Sequence, residues 1–340
     1  MAVQYATTSR VHSRMSIFRQ WIAPEQDTRQ EIKDQADEFR DRIKAKAEED
    51  GLTVTDTPYG GSFSTQTGLR RHLRGEMAVD GQDVDVPFVV KRDKETEFGP
   101  LVQRFADYVR KSYPTTKDIV PTKSSVRITF SGTTQSYDLV PMFASSVPDR
   151  QILIRENGEQ IETSVQKHRR FIKSRIEETK AVAGVVAFNE MIRLLKWWRE
   201  HKLQKASGII EVPSFLLNLL AAAALKECGV QTTYPQTLAK WFAFLAHTVQ
   251  EKQTIWFNDF YRSPMIDNTK AWNVIDPVMP SNNIVAGWSG WQVAELADWF
   301  REGSETMNRV IAADMVGQDS DSLSYLQALF GKIFSSHCEK

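Results

Sequence analysis

The chain has 340 residues, with 43 Lys and Arg balancing 43 Asp and Glu, so its formal net charge is zero. That length allows two cores, since single cores stop growing at about 250–300 residues. Balanced charge argues against a protein that coats duplex nucleic acid, which needs a basic excess, and the two cysteines, Cys228 and Cys338, are too few for a disulfide scaffold or a thiolate zinc cluster.

Residues 1–19 are polar and lack the apolar segment of a signal peptide. Residues 215–225 are apolar, but a bilayer takes about 20 such residues, so the expectation is a cytoplasmic chain with no membrane partner. Residues 17–22 are apolar enough to pack. Residues 28–49 read as a long charged helix with Ile32, Ala36, Phe39, Ile43 and Ala47 at helical spacing.

Leu52-Thr53-Val54-Thr55 is a short strand leading into Tyr59-Gly60-Gly61-Ser62. A glycine pair followed by a hydroxyl is a turn that brings backbone N–H groups close to an anion. Residues 65–73 read as the helix that follows, its N-terminus facing phosphate. Arg70, Arg71, His72 and Arg74 come with it, and that basic segment suits phosphate contact and an exposed surface equally.

Next comes Gly81-Gln82-Asp83-Val84-Asp85-Val86-Pro87. Side chains alternate along a strand, so Asp83 and Asp85 share one face while Val84 and Val86 point to a core. Two carboxylates this close repel unless a cation lies between them. Mg²⁺ is the natural one, because it takes one or two carboxylates and completes its shell with water and substrate phosphate.

Residues 98–113 carry Phe98, Leu101, Val102, Phe105, Tyr108 and Val109 in a helical stripe. Strands are expected over 117–120, 126–130, 137–142 and 151–155, with Ser131-Gly132-Thr133-Thr134 as a hairpin turn. A third acid, Asp138, stands in Ser136-Tyr137-Asp138-Leu139-Val140-Pro141. The first lobe is thus an α/β unit with a mixed sheet. It has neither G-x-G-x-x-G nor a Walker A lysine, which argues against a dinucleotide or P-loop fold.

From Ser164 onward the pattern is helical. Residues 183–201 hold Val186, Met191, Leu194, Leu195 and Trp198 in phase, and residues 213–226 are almost wholly apolar, with Pro213 suited to a first helical turn. Residues 237–248, 290–301 and 320–334 supply further helices whose aromatic residues read as core.

The order Gly61-Ser62, then Asp83-x-Asp85, then Asp138 before Leu139-Val140-Pro141 resembles the polymerase-β-type nucleotidyltransferases. Among these it is most similar to the cGAS/DncV-like group, which includes bacterial cyclic-oligonucleotide synthases of anti-phage (CBASS) systems. Further matches are Leu194-Leu195-Lys196-Trp197-Trp198, Pro213-Ser214-Phe215, and Ile275-Asp276-Pro277 followed by Asn282-Asn283. The resemblance spans roughly residues 51–286.

That resemblance implies an α+β fold: a polymerase-β-like nucleotidyltransferase lobe over 1–160, begun by a spine helix, then a helical lobe over 161–340, with the active site in the cleft between. It implies synthesis of a cyclic di- or oligonucleotide from nucleoside triphosphates, ATP or GTP foremost, with pyrophosphate released. Asp83, Asp85 and Asp138 would hold two Mg²⁺ ions, for which Mn²⁺ can substitute. Gly61, Ser62, Lys196 and Ser214 would hold the triphosphate, and Phe215 would stack on a base. Lys196 also suits a surface position beside Trp197, Phe215 suits a core, and Asp276 suits a turn before Pro277. A regulatory or effector protein of the same defence system is an expected partner; duplex DNA is not, because no Cys/His cluster exists for a zinc-stabilised sensing element. The competing readings are a linear or RNA-tailing enzyme, against which the neutral charge counts, and a non-catalytic nucleotide-binding module, against which the three aspartates count.

Overall fold

A computed structural model describes residues 9–338 apart from 93–97, 117, 123, 131–134, 155–158 and 207–210. In chain order the helices are α1 (Arg10–Ile22), α2 (Gln26–Glu49), α3 (Gly61–Ser64), α4 (Phe98–Ser112), α5 (Val165–Lys180), α6 (Phe188–Lys205), α7 (Ser214–Cys228), α8 (Tyr234–Gln250), α9 (Gly290–Met315), α10 (Asp319–Phe330) and α11 (Ile333–Ser336). The strands are β1 (Val54–Asp56), β2 (Arg71–Arg74), β3 (Met77–Asp80), β4 (Gln82–Val90), β5 (Asp118–Pro121), β6 (Val126–Thr129), β7 (Gln135–Ala144), β8 (Gln151–Ile154) and β9 (Gln160–Thr163). They form two compact units that interleave in the chain, where the sequence suggests one boundary at 160/161. A sheet unit comprises Pro24–Arg70 and Asp80–Arg170, and a helical unit comprises Met1–Ala23, Arg71–Val79 and Phe171–Lys340.

The sheet unit is built on the order β1-β4-β7-β6-β5, with β8 paired to β7 and β9 to β8. Among the described residues of this sheet, only β4 and β7 run parallel; the other pairs are antiparallel. Parallel neighbours need a long crossover, and α4, β5 and β6 lie within this one. The apolar stripe of α2, Ile32, Ala36, Phe39, Ile43 and Ala47, is buried in one cluster with Val84, Val86, Phe88 and Val90 of β4 and Leu101, Phe105 and Val109 of α4. The Tyr137 hydroxyl donates to Gln35 at 2.9 Å, tying β7 to α2.

The helix expected over 65–73 does not form. Helix α3 ends at Ser64, and the chain turns at Gln66, whose φ is +58°. Hydroxyls explain the stop: Thr65 bonds back to Gly61 and Ser62, its Oγ1 lies 3.0 Å from that of Thr67, and Thr67 N–H donates to Ser62 O. Side chains of this kind offer the backbone an alternative to helix. The chain then enters the β2-β3 ribbon, which belongs largely to the helical unit. The hairpin turn read at Ser131–Thr134 lies outside the described residues, as do the strand ends Lys117 and Arg155 and the side chain of Phe98.

In the helical unit, α7 is buried almost all round, from Leu216 to Leu225. Trp198 of α6 stacks on Phe300 at 5.3 Å and packs on Phe242 at 4.8 Å. Helix α1 joins this unit because its buried face includes Phe18, which meets Trp197 edge-on at 5.2 Å and Phe334 at 4.7 Å. The ribbon joins it through Glu200, which accepts from Leu73 N–H at 2.8 Å and bonds His72 Nδ1 at 2.8 Å.

Candidate active site

Strand β4 alternates as its sequence dictates. Val84 and Val86 are fully buried, Asp83 is exposed and Asp85 half-buried. The parallel register with β7 then sets Asp85 directly beside Asp138 and Asp83 beside Ser136. Adjacent strands lie about 4.8 Å apart, so the three carboxylates share one face of two neighbouring strands. The turn before α3 closes on the same place. Gly61 has a φ of +64°, and a Cβ there would come 1.6 Å from Asp85 Oδ2 and 2.8 Å from Asp85 Cβ. Only glycine fits both the backbone and the contact. At Gly60 a Cβ would meet Pro87 Cγ at 2.9 Å.

Two residues not singled out in the sequence complete this face. Arg127 of β6 pairs in register with Asp138, and its guanidinium grips both carboxylate oxygens, Nε to Oδ1 at 2.9 Å and Nη2 to Oδ2 at 2.7 Å. Ser136 donates its hydroxyl to Asp83. Hydrogen bonding to Asp138 drives the pKa of Arg127 up against the effect of burial, and the charges of Asp138, Asp83 and Asp85 add to the rise.

As placed, no three His, Cys, Asp or Glu side chains among the described residues enclose an ion. Here Asp138 faces Arg127 and Asp83 faces Ser136. The donor chemistry nevertheless fits Mg²⁺, since three carboxylates on one face are hard oxygen ligands.

Ser62 is half-buried beside Gly61, and its carbonyl accepts from Thr67 N–H at 3.0 Å. Lys196, Ser214 and Phe215 lie in the helical unit. Lys196 is 4% exposed on α6, so a plain surface role is out. One turn later, Arg199 donates to Ser214 Oγ at 3.0 Å and to Val212 O at 2.9 Å, fixing the start of α7. Burial lowers the pKa of Arg199. Phe215 is half-buried, between its stacking and core readings. Asp276 is a turn residue: its carboxylate accepts from Val278 N–H, Met279 N–H and Asn282 Nδ2. The basic segment is largely engaged by the protein itself, Arg70 with Glu25, Arg71 over the Trp21 ring at 4.7 Å, and His72 with Glu200.

Residues 10–175 match the family described as the Second Messenger Oligonucleotide or Dinucleotide Synthetase domain, SMODS. That span holds Gly61, Ser62 and all three aspartates. Over that span, just under half of the chain, the protein is similar to the cGAS/DncV-like nucleotidyltransferases. A cyclic AMP-AMP-AMP synthase of Escherichia coli strain MS 115-1 is 26% identical over 313 residues, covering 88% of this chain and 92% of that one. The solved structure of E. coli MS115-1 CdnC with ATP has a TM-score of 0.79 at 24% identity, covering 95% of this chain and 98% of that one. The CdnC:HORMA-deltaN complex from the same strain has a TM-score of 0.76 at 24% identity, covering 94% and 97%. These likenesses bear out the α+β nucleotidyltransferase fold. Among the described residues, no helix is long and apolar enough to cross a membrane.

Proposed function

We propose that this nucleotidyltransferase makes a cyclic oligonucleotide second messenger from nucleoside triphosphates in bacterial antiviral signalling, and that ATP joined three times is its principal route. The class of activity is that of the cyclic oligonucleotide synthases to which the chain is related; ATP and a ring of three follow the E. coli relative. The observation that carries the site assignment is the register of Asp85 beside Asp138 with Gly61 closed against Asp85.

In each transfer a ribose hydroxyl forms a bond to an α-phosphorus, the α–β anhydride breaks, and pyrophosphate takes the electron pair; the last transfer closes the ring. Asp83, Asp85 and Asp138 would hold the divalent cations, two Mg²⁺ on this reading, which when bound neutralise the triphosphate and activate the attacking oxygen. Gly61 lets backbone approach the acid pair, and Ser62 supplies a hydroxyl for phosphate. Lys196, Ser214 and Phe215 are the proposed nucleotide contacts of the helical unit, with Arg199 fixing Ser214. A regulatory protein is the proposed partner, supported by the CdnC:HORMA-deltaN complex of the E. coli relative, and a cytoplasmic site of action suits a chain with only two cysteines.

The test is to incubate pure protein, alone and with such a partner, with labelled ATP, GTP, CTP and UTP plus Mg²⁺, then weigh the phosphatase-resistant product. Cyclic triadenylate is expected. A ladder of linear oligomers, or strict dependence on a nucleic-acid primer, would replace this reading with a tailing enzyme.

A further inference from the structure

The acid face carries its own cation. Arg127 stands directly opposite Asp138 in the β6-β7 register and holds both of its oxygens. Its strand is anchored by Val126 and Ile128, both fully buried, which leaves Arg127 on the open face. The Arg127 side chain is 54% exposed and that of Asp138 16%. A pair this open to water is held weakly, because solvent and salt screen it. Asp83 and Asp85 lie on the same face and add attraction for the guanidinium.

Resting on the metal reading above, we propose that Arg127 is a positioning residue that acts through Asp138: it holds the third carboxylate and competes with the divalent cation for it. The competition has a direction. Neutralising Asp83 and Asp85 weakens the field that keeps the guanidinium over this face, so release of Asp138 is tied to occupancy of its neighbours. Arg127 thereby sets how much divalent cation the site needs before it is complete, and it spares three adjacent carboxylates the repulsion they would suffer alone.

The probe is Mn²⁺, titrated without nucleotide and followed by the electron paramagnetic resonance signal of the free ion, with melting curves to confirm folding. Arg127→Ala, and Arg127→Met as a variant that keeps the apolar stem, should bind Mn²⁺ about fivefold tighter than wild type at low salt, the upper end of what an exposed ion pair contributes. The gain should shrink at high salt and vanish when Asp138→Asn is added. Arg127→Lys should fall between, since an ammonium cannot grip two oxygens as a fork does. Unchanged or weaker Mn²⁺ binding in both Arg127→Ala and Arg127→Met, with Asp138→Asn and Asp83→Asn/Asp85→Asn still lowering affinity, would overturn the competition and leave the metal site standing. If instead Asp83→Asn/Asp85→Asn binds Mn²⁺ like wild type, the metal reading itself falls, and the competition with it.

Discussion

Gly61→Ala is the sharpest perturbation the site allows. Its backbone sits at a φ of +64°, a region that costs a residue with a Cβ about 1–2 kcal/mol. The added methyl would lie 1.6 Å from Asp85 Oδ2, 2.5 Å from Cγ and 2.8 Å from Cβ. Rotating the carboxylate away therefore does not relieve the clash, because the stem of the side chain is in the way too. Either the turn or Asp85 must retreat by on the order of an ångström or more, a displacement that can cost about 100-fold in rate when it moves a reacting group. Gly51→Ala separates the two effects: its φ is +81° but nothing lies within 4 Å of the added atom. Both variants should lose a few degrees of melting temperature, while only Gly61→Ala should lose about 100-fold or more in pyrophosphate release. A Gly61→Ala enzyme that melts like Gly51→Ala and keeps more than about a third of wild-type rate would refute the claim that the turn must close on Asp85.

Asp83→Asn with Asp85→Asn should abolish product while leaving the melting temperature unchanged or raised, since both side chains point away from the Val84 and Val86 core and cease to repel; product at the wild-type rate would sink their assignment. Phe215→Ala should weaken ATP binding by about 1–3 kcal/mol if the half-buried ring stacks on a base. A loss of about 3–5 kcal/mol in folding stability with unchanged affinity would return it to the core. His201 is buried with Nε2 unpartnered, and burial pulls its pKa down to about 4 from an ordinary 6.5. The folded protein therefore binds fewer protons than the unfolded chain in that window, so stability falls as pH drops from about 6.5 to about 4 and levels off below. The loss approaches about 3 kcal/mol, and urea melts of His201→Gln across the same range should be flatter; parallel curves would remove His201 as the cause.

Much of the sheet unit is legible because its signals are local. The five-residue stripe of α2 and the alternation through Asp83-Val84-Asp85-Val86 need only the helix and strand periods, and both end buried on the expected side. The brevity of α3 is less legible. Residues 65–73 contain nothing that forbids helix outright, and the stop rests on hydroxyl bonds among Ser62, Thr65 and Thr67 that exist only once the turn has closed. The β2-β3 ribbon is opaque for another reason. Its attachment to Glu200 joins residues more than a hundred positions apart, at 2.8 Å for both bonds, and no local pattern reports such a partner.

Arg127 falls between these cases. By itself it is an outward residue between two buried ones, indistinguishable from any solvated arginine on a half-buried strand. Yet the hairpin reading already contained it. If Ser131–Thr134 is the connecting turn, Phe130 stands opposite Gln135, and counting outward in antiparallel register sets Arg127 against Asp138, the pairing that β6 and β7 adopt. Opposite charges directly across one sheet face attract, so the same strand pairing that places the third aspartate also places the arginine that holds it. The consequence reaches beyond recognition of the site. A carboxylate supplied by one strand of a hairpin cannot be placed without its cross-strand partner, and here that partner carries the opposite charge. The chain thus presents its third acid already engaged, and on the proposed competition the affinity of the site for cation would be set by two paired strands rather than by the aspartates alone.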